Sequence, residues 1–290
     1  MISAAPPAAS LADLASAPIE SLVHFLDAHP RLQVLTGAGV STGSGIPDYR
    51  DGDGAWKRKP PVAHQDFLTD PGVRRRYWAR SLLGWPQMAA AAPNQAHAAL
   101  ARLGAAGHVR QLVTQNVDGL HGLAGSGDVL ELHGSIHTVG CMACRERHGR
   151  AAIQAELTRT NPRFAALQGA PAPDGDADLE ADSFDDFVVP ACIACGGLLK
   201  PDVVFFGDSV PRARLDTAWE ALADSDALLV VGSSLMVYSG YRFCLKAAEL
   251  GKPVAAINLG RTRADALFAL KVESACGPAL QGLLDRLGLP

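Results

Sequence analysis

A chain of 290 residues, 48% of them apolar and 19% charged, can fill a sizeable core, either as one large α/β domain or as a main domain carrying a smaller insert. The net charge of −4 argues against the broad basic face that nucleic acid requires, and no apolar run approaches the ~20 residues needed to cross a bilayer. The opening stretch, MISAAPPAASLADLASAP, holds no basic residue and no continuous apolar run, so it reads as neither a signal peptide nor a transit peptide. The expectation is a cytoplasmic protein whose first dozen residues form a loose tail.

In chain order, buried parallel strands are expected at Leu32 to Leu35, Val109 to Thr114, Val129 to Leu132, Ala227 to Val231 and Val254 to Ile257. Each is a short β-branched or leucine-rich run followed by turn formers. Helical stretches such as Gln95 to Leu103 and Tyr241 to Leu250 lie between them. The alternation predicts an α/β fold with a Rossmann-like, doubly wound parallel sheet, and ligands at the carboxyl ends of its strands. Residues 1–50, 94–140 and 198–290 would build that sheet domain. Residues 51–93, rich in Arg and Trp, would form a helical flap module, and 141–197 a zinc-binding module; together these two make the small domain. The middle of the second insert, PAPDGDADLEADSFDDF at 171–187, is acidic but lacks the glycine at position six and the closing glutamate of an EF-hand loop. It reads as a solvated loop.

The first expected strand runs into Thr36-Gly-Ala-Gly-Val-Ser41. Gly37 and Gly39 can turn the chain and let backbone N–H groups approach a pyrophosphate, with a helix N-terminus behind them. A dehydrogenase would need a second strand ending in an acid about 20 residues later. Here Arg58-Lys-Pro-Pro61 stands in that region, so hydride transfer is disfavoured and the ribose must be held elsewhere. Candidates stand where later strands end: Gln115, Asn116 and Asp118; Gly232, Ser233 and Ser234; Asn258, Leu259 and Gly260. His133 follows the third strand directly and is the candidate general base; His121, further past its strand and in a predicted helix, is the rival. Cys141, Cys144, Cys192 and Cys195 form two Cys-x-x-Cys pairs. Four thiolates fill a tetrahedral zinc shell, which makes such a site structural rather than catalytic. Cys244 is expected in the core and Cys276 in a loop.

Gly37-Ala-Gly-Val-Ser41, Gly45-Ile-Pro-Asp-Tyr-Arg50, Thr114-Gln-Asn-Val-Asp118, Leu132-His-Gly134, the two cysteine pairs and Gly232-Ser-Ser-Leu235 resemble the sirtuins in order and spacing, from about residue 20 onward. Tyr77-Trp-Ala-Arg80, Gly84-Trp-Pro86, Ala172-Pro-Asp-Gly-Asp176, Lys200 to Asp208 and Val237-Tyr-Ser-Gly-Tyr-Arg242 look like the class II branch, which holds one of the mitochondrial members. The resemblance implies an NAD-dependent protein lysine deacylase with NAD as co-substrate and a structural Zn2+. An acyl-lysine carbonyl attacks the ribose carbon as nicotinamide leaves, His133 deprotonates a ribose hydroxyl, and O-acyl-ADP-ribose is released. Asn116 and Asp118, with Gln115, would position the ribose and a water.

By the same resemblance Gly37, Ala38, Gly39 and Ser41 line the cofactor loop. Ile46 and Asp48 hold the nicotinamide, Tyr49 shields the ribose carbon, and Arg50 meets the phosphate or ribose. Gly232, Ser233 and Ser234 lie near the phosphates, Asn258, Leu259 and Gly260 near the adenine ribose, and the Cys276 backbone near adenine. The acyl-lysine protein would dock as an added strand between Val204, Phe205, Phe206 and Gly207 on one side and Val237 and Tyr238 on the other. Many relatives carry proline after the second segment; Ser239-Gly240 here would loosen that wall. Tyr77 and Arg80 match the pair that reads acidic acyl groups, or else form a plain structural helix face. The alternatives are a mono-ADP-ribosyltransferase and an NAD-sensing module with weak catalysis. Neither a nucleic-acid nor a membrane partner is expected, and the oligomeric state is open.

Overall fold

The computed structural model describes residues 11–58, 60–179 and 183–290. The expected N-terminal tail falls outside these residues but for its last two, which open helix α1 (Leu11–Ala28). Strand β1 (Leu32–Thr36) follows, then α2 (His64–Thr69), α3 (Pro71–Ala90), α4 (Gln95–Ala105) and β2 (Val109–Thr114). The single turn α5 (Leu120–Leu123) separates β2 from β3 (Val129–Glu131). Next come β4 (Gly134–Cys141), β5 (Arg147–Gly149), α6 (Arg150–Thr160) and α7 (Pro162–Ala165). A small hairpin, β6 (Ala170–Pro171) and β7 (Ala177–Asp178), precedes β8 (Leu199–Val203). The chain continues through α8 (Arg212–Asp224), β9 (Ala227–Val231), α9 (Tyr238–Glu249), β10 (Val254–Ile257), β11 (Leu270–Val272) and α10 (Cys276–Leu287). Among the described residues no helix is long and apolar enough to cross a membrane.

The main sheet has six parallel strands in the order β11-β10-β9-β1-β2-β3. All five expected strands are in it. Its centre is buried on both faces, which is why β9 and β10 read as unbroken apolar runs; β1 is buried throughout as well, its Gln33 amide donating to Ala218 O at 2.8 Å. Leu32, Val34, Leu229 and Ile257 pack beneath α1, α4 and α10, whereas Leu35, Leu228, Val230 and Ala256 pack beneath α8 and α9. The strand order reverses between β1 and β9, the place where a doubly wound sheet opens a crevice. The sixth strand, Leu270-Lys-Val272, was not expected, being a short edge strand with a lysine at its centre.

A second, three-stranded antiparallel sheet, β5-β4-β8, carries Cys141 at the end of β4 and the other three cysteines in the turns after β4 and before β8. Its core joins Phe67, Trp78 and Leu82 of the α2–α3 unit to Val139, Leu157, Phe164 and Leu199. Helix α3 starts at Pro71 behind a cap in which Asp70 accepts from the Gly72 and Val73 N–H groups.

Two expectations need correction here. The acidic stretch is not simply solvated: β6 and β7 fold it onto α3, Asp176 is buried, and Gly84 leaves the space, because a Cβ there would meet the Asp176 backbone at 2.3 Å. Glu180, Ala181 and Asp182 of that stretch lie outside the described residues. Cys244 is a core residue as expected, but Cys276 is the buried first residue of α10, not a loop residue.

Candidate active site

Loops from β1, β2, β9 and β10 meet at the sheet crevice around a cavity of about 610 Å³. The Gly37 N–H donates to Val231 O at 3.2 Å, and the Gly39 N–H to Gly232 O at 2.9 Å. Gly232 stands at φ +60°, and a Cβ there would lie 2.6 Å from the Val40 nitrogen. Only glycine allows the two backbones this approach. Behind the loop there is no long helix, contrary to expectation. Ala38–Val40 and Thr42–Ser44 form short 3-10 turns, broken by Gly45 at φ +82° and then by Pro47. No full helix dipole therefore faces the loop, and anion binding falls to individual N–H and side-chain donors.

The loop after β2 is tied to the glycine loop by side chains. Ser41 Oγ donates to Asp118 Oδ2 at 2.7 Å, and Asn116 Nδ2 donates to Gly37 O at 3.1 Å and Ser41 Oγ at 3.0 Å. Gln115 Nε2 donates to Ser233 Oγ at 2.8 Å, which brings in the loop after β9. Asp118 is buried, and its other oxygen accepts the Leu120 N–H at 3.0 Å.

His133 lines the cavity directly after β3. Its Nδ1–H donates to the Gln115 carbonyl at 2.8 Å, which fixes the tautomer and leaves the Nε2 lone pair as an acceptor. That lone pair receives the Ser239 hydroxyl at 2.8 Å. Burial holds the imidazole below its ordinary pKa; Arg214 and Arg242 push the same way, while the bond to Gln115 opposes them. The rival, His121, does not line the cavity. It sits in α5, buried beside His97, and bonds Thr36 Oγ1 at 2.9 Å. Burial and His97 push its pKa down to about 3, so it is neutral and structural.

The flap at 46–56 closes one side of the cavity. Ile46 is anchored among Met88, Val117, Leu120 and Ile136. Asp48 is paired with Lys57. Tyr49 packs edge-on to Trp56 and Phe206, and desolvation, with Asp174 second, raises its pKa well above the ordinary phenol value. Arg50 lies 3.9 Å from the Trp56 ring centre and donates to Gly54 O at 2.7 Å. Gly52 O accepts the Arg261 N–H at 2.8 Å, so the flap leans on the loop after β10. Ala38, Ser234, Asn258 and Leu259 line the cavity; Gly260 and Cys276 do not.

Val204, Phe205, Phe206 and Gly207 line it from the β8 side, and Val237 and Tyr238 from the β9 side. The second of these walls is no strand: Val237 is extended, but Tyr238 opens α9, three residues before the expected helix start. Nor does Ser239-Gly240 loosen it. A Cβ on Gly240 would lie 2.3 Å from Gln115 Oε1, so the first turn of α9 sits tightly on Gln115. Tyr77 is buried under Phe67 and Phe205 and lines no cavity wall described here. Arg80 faces a neighbouring cavity of about 590 Å³ and is already engaged, with Nε 2.9 Å from Asp176 Oδ2 and Nη2 3.4 Å from Asp178 Oδ1. Trp56, Asp174, Ser239 and Arg242 also line the main cavity; the last three stand inside the 172–176 and 237–242 motifs, which gave them no catalytic or binding role of their own.

The four cysteines converge from the end of β4 and the turn before β8, with their sulfurs all within 4.8 Å of one another. None forms a disulfide. Gly197 keeps the sulfur side open, because a Cβ there would stand 3.0 Å from Cys141 Sγ and 3.1 Å from Cys195 Sγ. Four convergent, unbridged thiols fit one tetrahedral zinc ion with no open position.

The profile of the Sir2 family matches residues 37–239. An NAD-dependent protein deacetylase of Xanthomonas campestris pv. campestris (strain 8004) is 58% identical over 260 residues, covering 90% of this chain and 89% of the relative. The NAD-dependent protein deacylase Sirt4 of Drosophila melanogaster is 47% identical over 270 residues, covering 92% and 86%. A solved Sir2 structure with a deacetylated p53 peptide and 3'-O-acetyl-ADP-ribose superposes with a TM-score of 0.75 at 27% identity, over 94% of this chain and 99% of that one. The chain belongs to the Sir2 family, the sirtuins.

Proposed function

We infer that the chain is an NAD-dependent protein lysine deacylase that consumes NAD and releases nicotinamide, free lysine and O-acyl-ADP-ribose. One observation carries the reading: His133 Nε2, Asn116, Asp118 and the Gly37–Ser41 loop face one cavity at the sheet crevice. NAD fits the residues present, since Gly37 and Gly39 let their loop close onto Gly232 and Ser233, and amide and hydroxyl side chains line the cavity the loops enclose. Its role is to supply the ribose carbon on which the acyl oxygen is captured.

The chain's own residues then divide the work. Ile46 and the Asp48 region enclose the nicotinamide end, and Tyr49 and Phe206 keep water from the cation-like ribose carbon. Gln115, Asn116 and Asp118 orient the ribose; Ser233, Ser234 and Asn258 take the far end. The base is His133: its Nδ1–H stays on the Gln115 carbonyl, and Nε2 accepts the proton of the attacking ribose hydroxyl. The zinc supplies no chemistry; Cys141, Cys144, Cys192 and Cys195 would hold it to clamp the second sheet. Acyl-lysine proteins would enter between the 204–207 and 237–238 segments, and a cytoplasmic location fits such substrates.

Neutral acyl groups are the proposed substrates. Arg80 is already engaged by the Asp176 and Asp178 side chains, so an acidic acyl chain would find no free guanidinium there. The test is mass spectrometry of products from NAD with acetyl-, succinyl-, branched-acyl- and lipoyl-lysine peptides. O-acyl-ADP-ribose is expected from the neutral ones. Nicotinamide release with ADP-ribose left on protein, and no deacylated peptide, would instead make the chain a mono-ADP-ribosyltransferase; NAD binding without turnover would make it a sensor.

A further inference from the structure

His133 lines the cavity, but its basic nitrogen is not free. Its Nε2 lone pair is occupied by the Ser239 hydroxyl at 2.8 Å, and Ser239 itself lines the cavity. The placement is rigid. Ser239 is the second residue of α9, and the next residue, Gly240, lets that helix press onto Gln115 closely enough that a Cβ would stand 2.3 Å from Oε1. Gln115 is also the residue whose carbonyl holds His133 Nδ1–H at 2.8 Å. Both imidazole nitrogens are therefore held through one packed unit, Gln115 with the α9 start.

The Gln115 carbonyl alone is enough to set the tautomer, so Ser239 is not needed for that. What the hydroxyl does is occupy Nε2 from a side chain that itself lines the cavity beside the base. A serine oxygen that donates its own proton to Nε2 keeps two lone pairs free to accept another hydrogen bond. A ribose hydroxyl arriving in the cavity can donate to that oxygen without displacing anything.

We propose that Ser239 is a catalytic relay for the second half of the deacylation, carrying the ribose hydroxyl proton to His133. The ribose O–H bond breaks as a new O–H bond forms on Ser239 Oγ. In the same motion the original Ser239 proton passes to His133 Nε2. The ribose oxygen attacks the imidate carbon with the freed electron pair, Ser239 ends as it began, and His133 ends as the imidazolium. No further reactant is needed.

The proposal rests on the deacylase reading and on His133 as base, so the experiment separates them. Wild type, Ser239→Ala, Ser239→Thr and His133→Ala are each given NAD and an acetyl-lysine peptide. Two rates are read: exchange of labelled nicotinamide into NAD, which reports cleavage of the nicotinamide–ribose bond, and formation of O-acetyl-ADP-ribose, which needs the relayed proton. For Ser239→Ala the ratio of exchange to product formation should rise by about tenfold or more, a fraction of the usual general-base contribution because water can partly fill the gap. Ser239→Thr, which keeps the hydroxyl, should restore most of the wild-type ratio.

Exchange itself certifies that each variant is folded and binds both substrates. A ratio unchanged in Ser239→Ala, or product formation that quickens because the hydroxyl had only been capping the base, would overturn the relay while leaving His133 in place. An unchanged ratio in His133→Ala would overturn the base assignment instead, and the relay with it. Absence of exchange and product in the wild-type protein would sink the deacylase reading itself.

Discussion

The parallel sheet and the cysteine-bearing sheet solve the same problem, burying a polar backbone, by different means. In the parallel sheet β1, β9 and β10 are closed on both faces by helices, and Val34, Leu35, Val230 and Ala256 have no exposed surface at all. Its stability comes from apolar area and backbone pairing, which tolerate modest change at any one position. The second sheet has only three strands and needs help. It draws on four thiols, on an Arg150 guanidinium buried between the Trp78 and Trp85 rings, and on the Arg80–Asp176 pair. Burial lowers the Arg150 pKa to about 10, a sign of how poorly it is solvated. A sheet held by a few strong, specific interactions should fail abruptly when one is removed; a sheet held by area should not.

The sharpest way to break this contrast is at the metal. Cys141→Ser should abolish zinc content and lower the melting temperature by more than about 10 °C, because ligand binding free energy is folding free energy in such a unit. Metal analysis and calorimetry read both. If zinc content and melting temperature stay at wild-type values, the thiol tetrad is not what holds the second sheet.

Substitution in the crevice should act on rate rather than on fold. His133→Ala should reduce deacylation by about 10²–10⁴ with the melting temperature nearly unchanged. Since burial depresses its pKa, the base is in its neutral, working form at and above its usual value, and activity should persist on acidification past pH ~6.5 before it falls. A pH–rate profile whose acidic limb lies above that value would contradict the geometry.

The same contrast governs what the sequence reveals. Short runs rich in leucine and β-branched residues, followed by glycine, amide or histidine, mark β1, β2, β3, β9 and β10, and with them Gly37, Gln115, Asn116, His133 and Gly232. Local pattern and site coincide there because the loops that bind are the strand ends themselves. The cysteine pairs are equally plain, since the zinc shell dictates their spacing. Hidden features depend on contacts between distant segments. Asp176 looks like any acid in an acidic stretch until Gly84 admits the hairpin onto α3, and Arg80 looks free until that hairpin arrives. Ser239 and Gly240 read as a loosened wall, because nothing local says that α9 begins at Tyr238 and rests on Gln115.

The hairpin offers a finer test of how specific the second lobe is. Asp176 is buried with half-buried Asp174 near it, and burial, then repulsion from Asp174, raises the Asp176 pKa to about 8 despite Arg80. Above pH ~8, where Asp176 is ionised, Asp176→Asn removes that repulsion and one of the two carboxylates ion-paired with Arg80. The ratio of desuccinylase to deacetylase activity should rise several-fold, as a partly freed guanidinium becomes able to receive a carboxylate. An unchanged ratio in competition assays would mean that Arg80 is not within reach of the acyl chain at all.

The smallest effect is expected beside the parallel sheet, at His121 in α5. It is buried neutral with a pKa near 3, whereas in the unfolded chain it takes a proton near 6.5. The unfolded state therefore binds more protons between those values, so this group's contribution to stability is intact above pH ~6.5 and is lost as pH falls, by up to about 1.4 kcal/mol per pH unit. Two measurements bear on it. The His121 ring resonances should not move between pH 8 and 5, and the melting temperature should decline steadily below pH ~6.5 with the zinc still bound. If the ring titrates near its ordinary value, the Thr36–His121–His97 cluster is hydrated, and the sheet core is less dry beneath the catalytic loop than the packing of β1 and β2 implies.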